Sequence, residues 1–178
     1  MVPVRLDRPV SPLSVALDDP RVVERYRALV SPLRTSSGCS PWLGAISAQG
    51  SGRFWLGGGH VIIAHRFGFA LAFGIASLLE HPQVAHQCDE ASCQNPGHML
   101  ATSGSRNTLD WIARRDTIGN PLRDTRGARG RALALRRAAR AGLDLDAAAS
   151  EGLPENDRYQ PALFEVAHPA LASVRDSP

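Results

Sequence analysis

Three cysteines, two of them crowded among histidines in one short stretch, constrain this chain more than any other feature. His86-Gln87-Cys88 is followed after four residues by Cys93 and after four more by His98, with Asn107 beyond; the remaining cysteine is Cys39. Zinc takes four ligands at roughly 2.0–2.3 Å in a tetrahedron, and a loop with two thiols and an imidazole supplies three of them. Cys39 completes the set from a distant segment. Spacing leaves His86 and His98 both open as the imidazole ligand, and choosing His98 frees His86 for other work. The bland readings are small buried hydrophobes, or one disulfide with Cys39 left over. An odd cysteine count argues against a disulfide framework. The start, Met1-Val-Pro-Val-Arg-Leu-Asp-Arg, has no apolar signal region, so a reduced, cytoplasmic setting is expected.

Punctuation divides the chain. Val22 to Val30 reads as a helix, ended by the turn chemistry of Thr35-Ser-Ser-Gly38. Trp42 to Ile63 carries short β-prone runs around Gly57-Gly-Gly59, which predicts a hairpin or small antiparallel sheet. Ala64 to Leu79 spaces apolar residues at three and four and predicts one amphipathic helix, broken at Pro82 ahead of a strand carrying His86. Met99 to Thr102 is expected to be a second strand. A helix capped by Ser103 or Ser105 should follow over about Asn107 to Arg115, its Leu109, Trp111 and Ile112 against the sheet. Ile118 to Gly130 reads as extended, and Arg131 to Ala141 as a helix ending at Gly142. Pro-rich sequence follows Glu151 and reads either as disordered or as docking through Leu163-Phe164. No apolar run reaches the roughly 18–20 residues needed to cross a membrane. The composition, 43% hydrophobic but 6% aromatic, allows a modest core, to which a metal would add stability.

All twenty basic residues are arginine. Residues 106–140 hold ten of them against Asp110, Asp116 and Asp124, a local net charge of +7, whereas the sequence beyond Gly142 turns acidic. A basic block of this kind suits phosphate contact, and a solvated helix face is its ordinary alternative. The candidate DNA contacts are Arg106, Arg114, Arg115, Arg123, Arg126, Arg129 and Arg131.

Several motifs stand in order: Cys39-Ser-Pro-Trp-Leu-Gly-Ala, Gly50-Ser-Gly-Arg-Phe, Ala64-His-Arg-Phe, then Val84-Ala-His-Gln-Cys through Cys93-Gln-Asn-Pro-Gly-His-Met-Leu100, then Asn107. This series resembles the core of the His-Me finger (ββα-metal) nucleases, nearest to the His-Cys box homing endonucleases and the HNH endonucleases. The resemblance runs from about Cys39 to Asn107. It implies an α+β fold, with a small antiparallel sheet, a zinc-bound ββα-metal core and flanking helices. The corresponding division is a helical lead-in (1–38), a nuclease core (39–116), an arginine-rich DNA-contacting extension (117–142) and an acidic, Pro-rich tail (143–178).

The resemblance also implies roles. Cys39, Cys88, Cys93 and His98 would hold a structural Zn²⁺, with no open position for chemistry. His86 would be the general base, since an imidazole titrates near neutral pH. The amide oxygen of Asn107 would be the protein ligand of a catalytic Mg²⁺ completed by water and phosphate. Independently of the resemblance, an arginine beside the reacting phosphate would stabilise its charge, and Arg66 and Arg53 are the two candidates. The alternatives are a helix-surface pairing of Arg66 with an acid such as Glu80, and for Arg53 a solvated strand position or a plain DNA-backbone contact. DNA is the implied partner, and a symmetric homodimer suits cleavage of both strands. His65 reads as structural, by packing or capping, and His60, His81 and His168 belong to no cluster. Met99 stands where the family usually has Leu. Ala85 stands where many HNH enzymes carry an acidic metal ligand, so the alternative function is a catalytically inactive, zinc-stabilised DNA-binding protein.

Overall fold

The computed structural model describes residues 11–81 and 83–158. Two short helices open it, α1 (Pro12–Asp18) and α2 (Pro20–Ala28), each starting with a proline at its first position. Ser11 and Asp19 cap them by accepting backbone N–H bonds, and proline costs nothing where the N–H has no helical partner. Sequence pattern predicts α2 but not α1. Three antiparallel strands follow in the order β1 (Ala45–Ile46), β2 (Gly52–Gly57) and β3 (His60–Ile63). The predicted hairpin is β2–β3, closed through Gly58-Gly59 with a bulge between Trp55 and Gly57.

The single helix expected over Ala64 to Leu79 is two, α3 (Ala64–Phe73) and α4 (Ile75–Glu80). Gly74 separates them at φ 85, ψ 154, a conformation that glycine adopts without the penalty of a Cβ. Beyond α4 lies a second sheet, an antiparallel pair of β4 (Gln83–His86) and β5 (Met99–Thr102) in the register His86↔Met99. Helix α5 (Gly104–Arg114) leaves β5 directly, capped by the Ser103 hydroxyl accepting from Arg106 N–H.

The stretch expected to be extended holds a 3₁₀ turn at Pro121–Arg123 and the first residues of α6 (Gly127–Ala141). Gly142 ends α6 in the left-handed region, as its sequence position predicts. Two short helices follow, α7 (Leu145–Ser150) and α8 (Glu155–Arg158). Leu163-Phe164 and His168 lie outside the described residues.

The main core joins Ala16, Val22, Tyr26, Trp42, Phe54, Ala64 and Phe67. The lead-in helices therefore share one core with the sheet rather than standing apart. Trp42 is wholly buried, and a Cβ on Gly52 would lie 2.6 Å from its ring. A second cluster, Phe69, Ala70, Leu78, Val84 and Met99, seats the β4–β5 pair on α3 and α4. A third, Leu135, Ala138 and Leu145, joins α6 to α7. Helix α5 buries no residue: Leu109, Trp111 and Ile112 are exposed rather than packed on the sheet. Its side chains lie across a groove from β4, and polar bonds hold it there.

Candidate metal centre and adjoining groove

Cys39 arrives at the loop between β4 and β5 by backbone pairing. Pro41 bridges Cys93 in antiparallel sense, Gln94 N–H donates to Ser40 O at 2.7 Å, and Trp42 N–H donates to Ser92 O at 3.0 Å. Tyr26 Oη also donates to Gln94 Oε1 at 2.9 Å, tying α2 to the loop. These bonds carry a residue 49 positions earlier in the chain to within reach of Cys88.

The donor atoms of Cys39, Cys88, Cys93 and His98 all lie within 4.8 Å of one another. His98 Nδ1 is 3.5 Å from Cys39 Sγ and 3.6 Å from Cys93 Sγ. A zinc tetrahedron with Zn–S near 2.3 Å and Zn–N near 2.0–2.1 Å has an S···N edge of about 3.6 Å. The donor set and its spacing fit structural zinc, and the histidine in the cluster is His98, not His86. The thiols interact strongly. Hydrogen bonds from Cys88 and Cys93 stabilise the Cys39 thiolate and hold its pKa at about 2. The same bonds to Cys39 push Cys88 up, and Cys93 up to about 12. A divalent cation would remove that competition by stabilising all three thiolates. Outer groups are placed for this: Asn95 N–H donates to Cys93 Sγ at 3.4 Å, and Asn95 Nδ2 holds Gly38 O at 2.9 Å.

His86, at the end of β4, is not among the clustered donors. Its Nε2 lies 2.9 Å from the carbonyl oxygen of Cys93. A carbonyl only accepts, so Nε2 carries the proton and Nδ1 of the neutral ring keeps a free lone pair. His65 packs edge to face against His86 with ring centroids 4.5 Å apart. Burial is the main cause that lowers the His86 pKa, with the Cys93 carbonyl acting in the opposite direction. Burial also drives His65 down to about 3, with further repulsion from His86 and Arg66.

An open groove of about 390 Å³ adjoins His86 and is lined also by Asp89, Asn107, Thr108, Trp111 and Arg114. Asn107, on the first turn and a half of α5, faces this groove, and among the described residues its side-chain amide makes no hydrogen bond. Its oxygen is thus available to a hard cation. Asp89 is the carboxylate in the groove, and it is committed elsewhere. Arg114 Nε and Nη2 donate to its two oxygens at 2.8 and 2.9 Å, and Asn120 Nδ2 donates at 2.8 Å. Among the described groove residues, the Asn107 amide is thus the oxygen donor left without a protein partner.

Arg66 and Arg53 do not line this groove. On α3 the ring packed beside His86 is that of His65, and Arg66, next along the helix, is half-buried. Arg53 is on β2, in the other sheet, paired with Ala45 and Ile63. The basic block is also reapportioned. Arg131 is buried, with Nε 2.7 Å from Glu90 Oε2 and Nη1 3.3 Å from Asp124 Oδ2, so it cannot contact DNA from there. Arg106, Arg114, Arg115, Arg123 and Arg126 pair with Asp110, Asp89, Asp116, Asp157 and Asp124 respectively. The roles of Asp89 and Glu90 do not emerge from sequence. Their one signal is an acidic pair inside a metal-ligand loop, where surface solvation is the usual explanation.

These features define an α+β protein with two small antiparallel sheets and a Cys₃His cluster whose spacing could hold a metal ion. The chain is 32% identical over 93 residues to Protein 2.8 of Escherichia phage T7, an alignment covering 52% of this chain and 58% of the phage protein. It thus spans little more than half of that relative's length. No family model matches the chain, and no solved structure does. Among the described residues, no helix is long and apolar enough to cross a membrane.

Proposed function

We propose that this chain is a metal-dependent DNA endonuclease of the His-Me finger type, built on β4, the metal loop, β5 and α5. The observation that carries the reading is the bond between His86 Nε2 and the Cys93 carbonyl. It fixes the tautomer, leaving Nδ1 basic beside a groove lined by Asn107. A water in the groove would lose its proton to Nδ1 as it attacks phosphorus; the 3′-oxygen would leave with a proton from solvent. Mg²⁺ held by the Asn107 amide oxygen would supply charge neutralisation at the phosphate. His65 keeps the His86 ring from rotating, and Arg114 holds α5 so that Asn107 stays across from His86. The Cys₃His centre frames the loop whose carbonyl orients the base.

Supercoiled plasmid incubated with zinc-loaded protein and Mg²⁺ should be nicked or linearised. His86→Ala and Asn107→Ala should each lower the rate by at least about 100-fold, the lower end of the range for general acid–base catalysis, while zinc stays stoichiometric. Ala85, which leaves Asn107 without an acidic companion on β4, supports a second reading, a DNA-binding protein without chemistry. Plasmid left intact by wild type and both variants, with duplex binding retained, would select that second reading.

A further inference from the structure

Of the ten arginines between residues 106 and 140, six pair with carboxylates. The other four, Arg129, Arg136, Arg137 and Arg140, all lie on α6, and among the described residues none meets a carboxylate. Positions 136 and 140 fall within about 20° of position 129 on a helix of 3.6 residues per turn, and the three span about 16 Å of its length. Arg137 flanks that stripe. Arg131, Leu135 and Ala138, about 120–180° round the helix from Arg129, are buried.

We infer that the arginine face of α6, on which Arg129, Arg137 and Arg140 are exposed and Arg136 is half-buried, is a docking surface for the phosphate backbone of duplex DNA. The arginines are positioned without being neutralised. Arg136 Nη1 donates to Gly44 O at 2.8 Å and Arg140 Nη2 to Leu43 O at 2.6 Å. A carbonyl bond takes one of the five donors of a guanidinium and leaves the charge and the other donors available. Crowding has a cost: like charges four apart on a helix are destabilising, and Arg136 is lowered by burial and then by repulsion from Arg140 and Arg129. A linear polyanion relieves that repulsion. Duplex DNA carries one charge per ≈1.7 Å of axis, a linear array matching a linear stripe. A lipid surface fits less well, because no exposed large apolar side chain lies on α6 to enter it. The buried face of the same helix is bolted through Arg131 to Glu90 in the metal loop. Phosphates held by α6 therefore sit at a fixed offset from His86. The choice of DNA rests on the nuclease reading above.

Binding of a labelled random-sequence duplex of about 20 base pairs to the full zinc-loaded chain, without Mg²⁺, tests this across a salt series. Arg129→Gln/Arg137→Gln carries the test, because those two side chains hold no carbonyl and their loss should not disturb packing. The slope of log K against log salt should fall in magnitude by about 2, close to one for each phosphate that is no longer neutralised. Arg129→Lys/Arg137→Lys should keep the wild-type slope. An unchanged slope in the Gln variant, with wild type still cutting plasmid, would overturn the α6 surface and leave the nuclease reading intact. Wild type that neither binds duplex nor cuts plasmid would overturn both. Tighter arginine-dependent binding to single-stranded RNA, or to vesicles rich in phosphatidylserine, would overturn duplex DNA as the partner.

Discussion

His65 and His86 stand edge to face, and their hydrogen bonds give them different work. His86 is held through Nε2 by a carbonyl and lines a groove, whereas His65 Nδ1 is buried without a partner. Burial drives the His65 pKa to about 3 from an ordinary 6.5. The folded protein therefore keeps this ring neutral, and the unfolded chain protonates it first as pH falls. Its contribution to stability is complete above about pH 6.5 and is lost at about 1.4 kcal/mol per pH unit on the way down. Thermal melts from about pH 7 to about pH 5 should show a steeper loss for wild type than for His65→Asn, with zinc content matched. Coincident slopes would mean that His65 does not carry this proton linkage. The residue types at the site were legible because thiols and imidazoles are rare and their spacing is set by a metal's coordination sphere. A structural, packed role for His65 was legible from its place at a helix start, but its partner, the His86 ring, was not, since that depends on α3 packing on β4.

Helix α5 shows what element-level pattern reading misses. Its apolar residues suggested packing on the sheet, yet none is buried. It is held by its Ser103 cap, its direct continuation from β5, and the Arg114–Asp89–Asn120 cluster. Asp89 reaches that cluster from a left-handed backbone conformation, φ 56, which Asp and Asn tolerate better than most residues. Arg114→Ala leaves a nearly buried carboxylate with one partner and should cost roughly 2 kcal/mol in urea denaturation. Faster amide exchange confined to α5, with zinc content unchanged, would mark the loss of this clamp. If the proposed nuclease function holds, the variant should need more Mg²⁺ for half-maximal cleavage, because Asn107 rides on the same helix. An unshifted Mg²⁺ requirement would show that Arg114 does not position Asn107.

Across the whole molecule, polar links join what the three apolar clusters leave separate. Burial pushes the Glu90 carboxyl up, and the Arg131 guanidinium at 2.7 Å pulls it back down. Asp124 lies on the far side of Arg131, and Ser36 on the lead-in side bonds Asp146 of α7 through both backbone and hydroxyl. Arg131→Met would strand Glu90 and should cost about 3–5 kcal/mol, whereas Glu90→Gln/Arg131→Met should recover part of that loss. Chemical denaturation of the two variants checks it; equal losses would show that the pairing carries no weight. Chelation of the metal, or Cys88→Ala, should unfold the loop and weaken α6 with it, seen as loss of helical circular dichroism beyond the loop itself. Sequence alone determined the local facts: which residues could ligate a metal, where β2, β3 and β5 run, and where Gly142 stops a helix. Each follows from spacing, alternation or the conformational limits of one residue. Tertiary structure decided which histidine joins the cysteines, which arginines are already paired, and which face of α6 stays open. Those outcomes depend on partners far away in sequence, brought together only when Pro41 meets Cys93 and Glu90 meets Arg131.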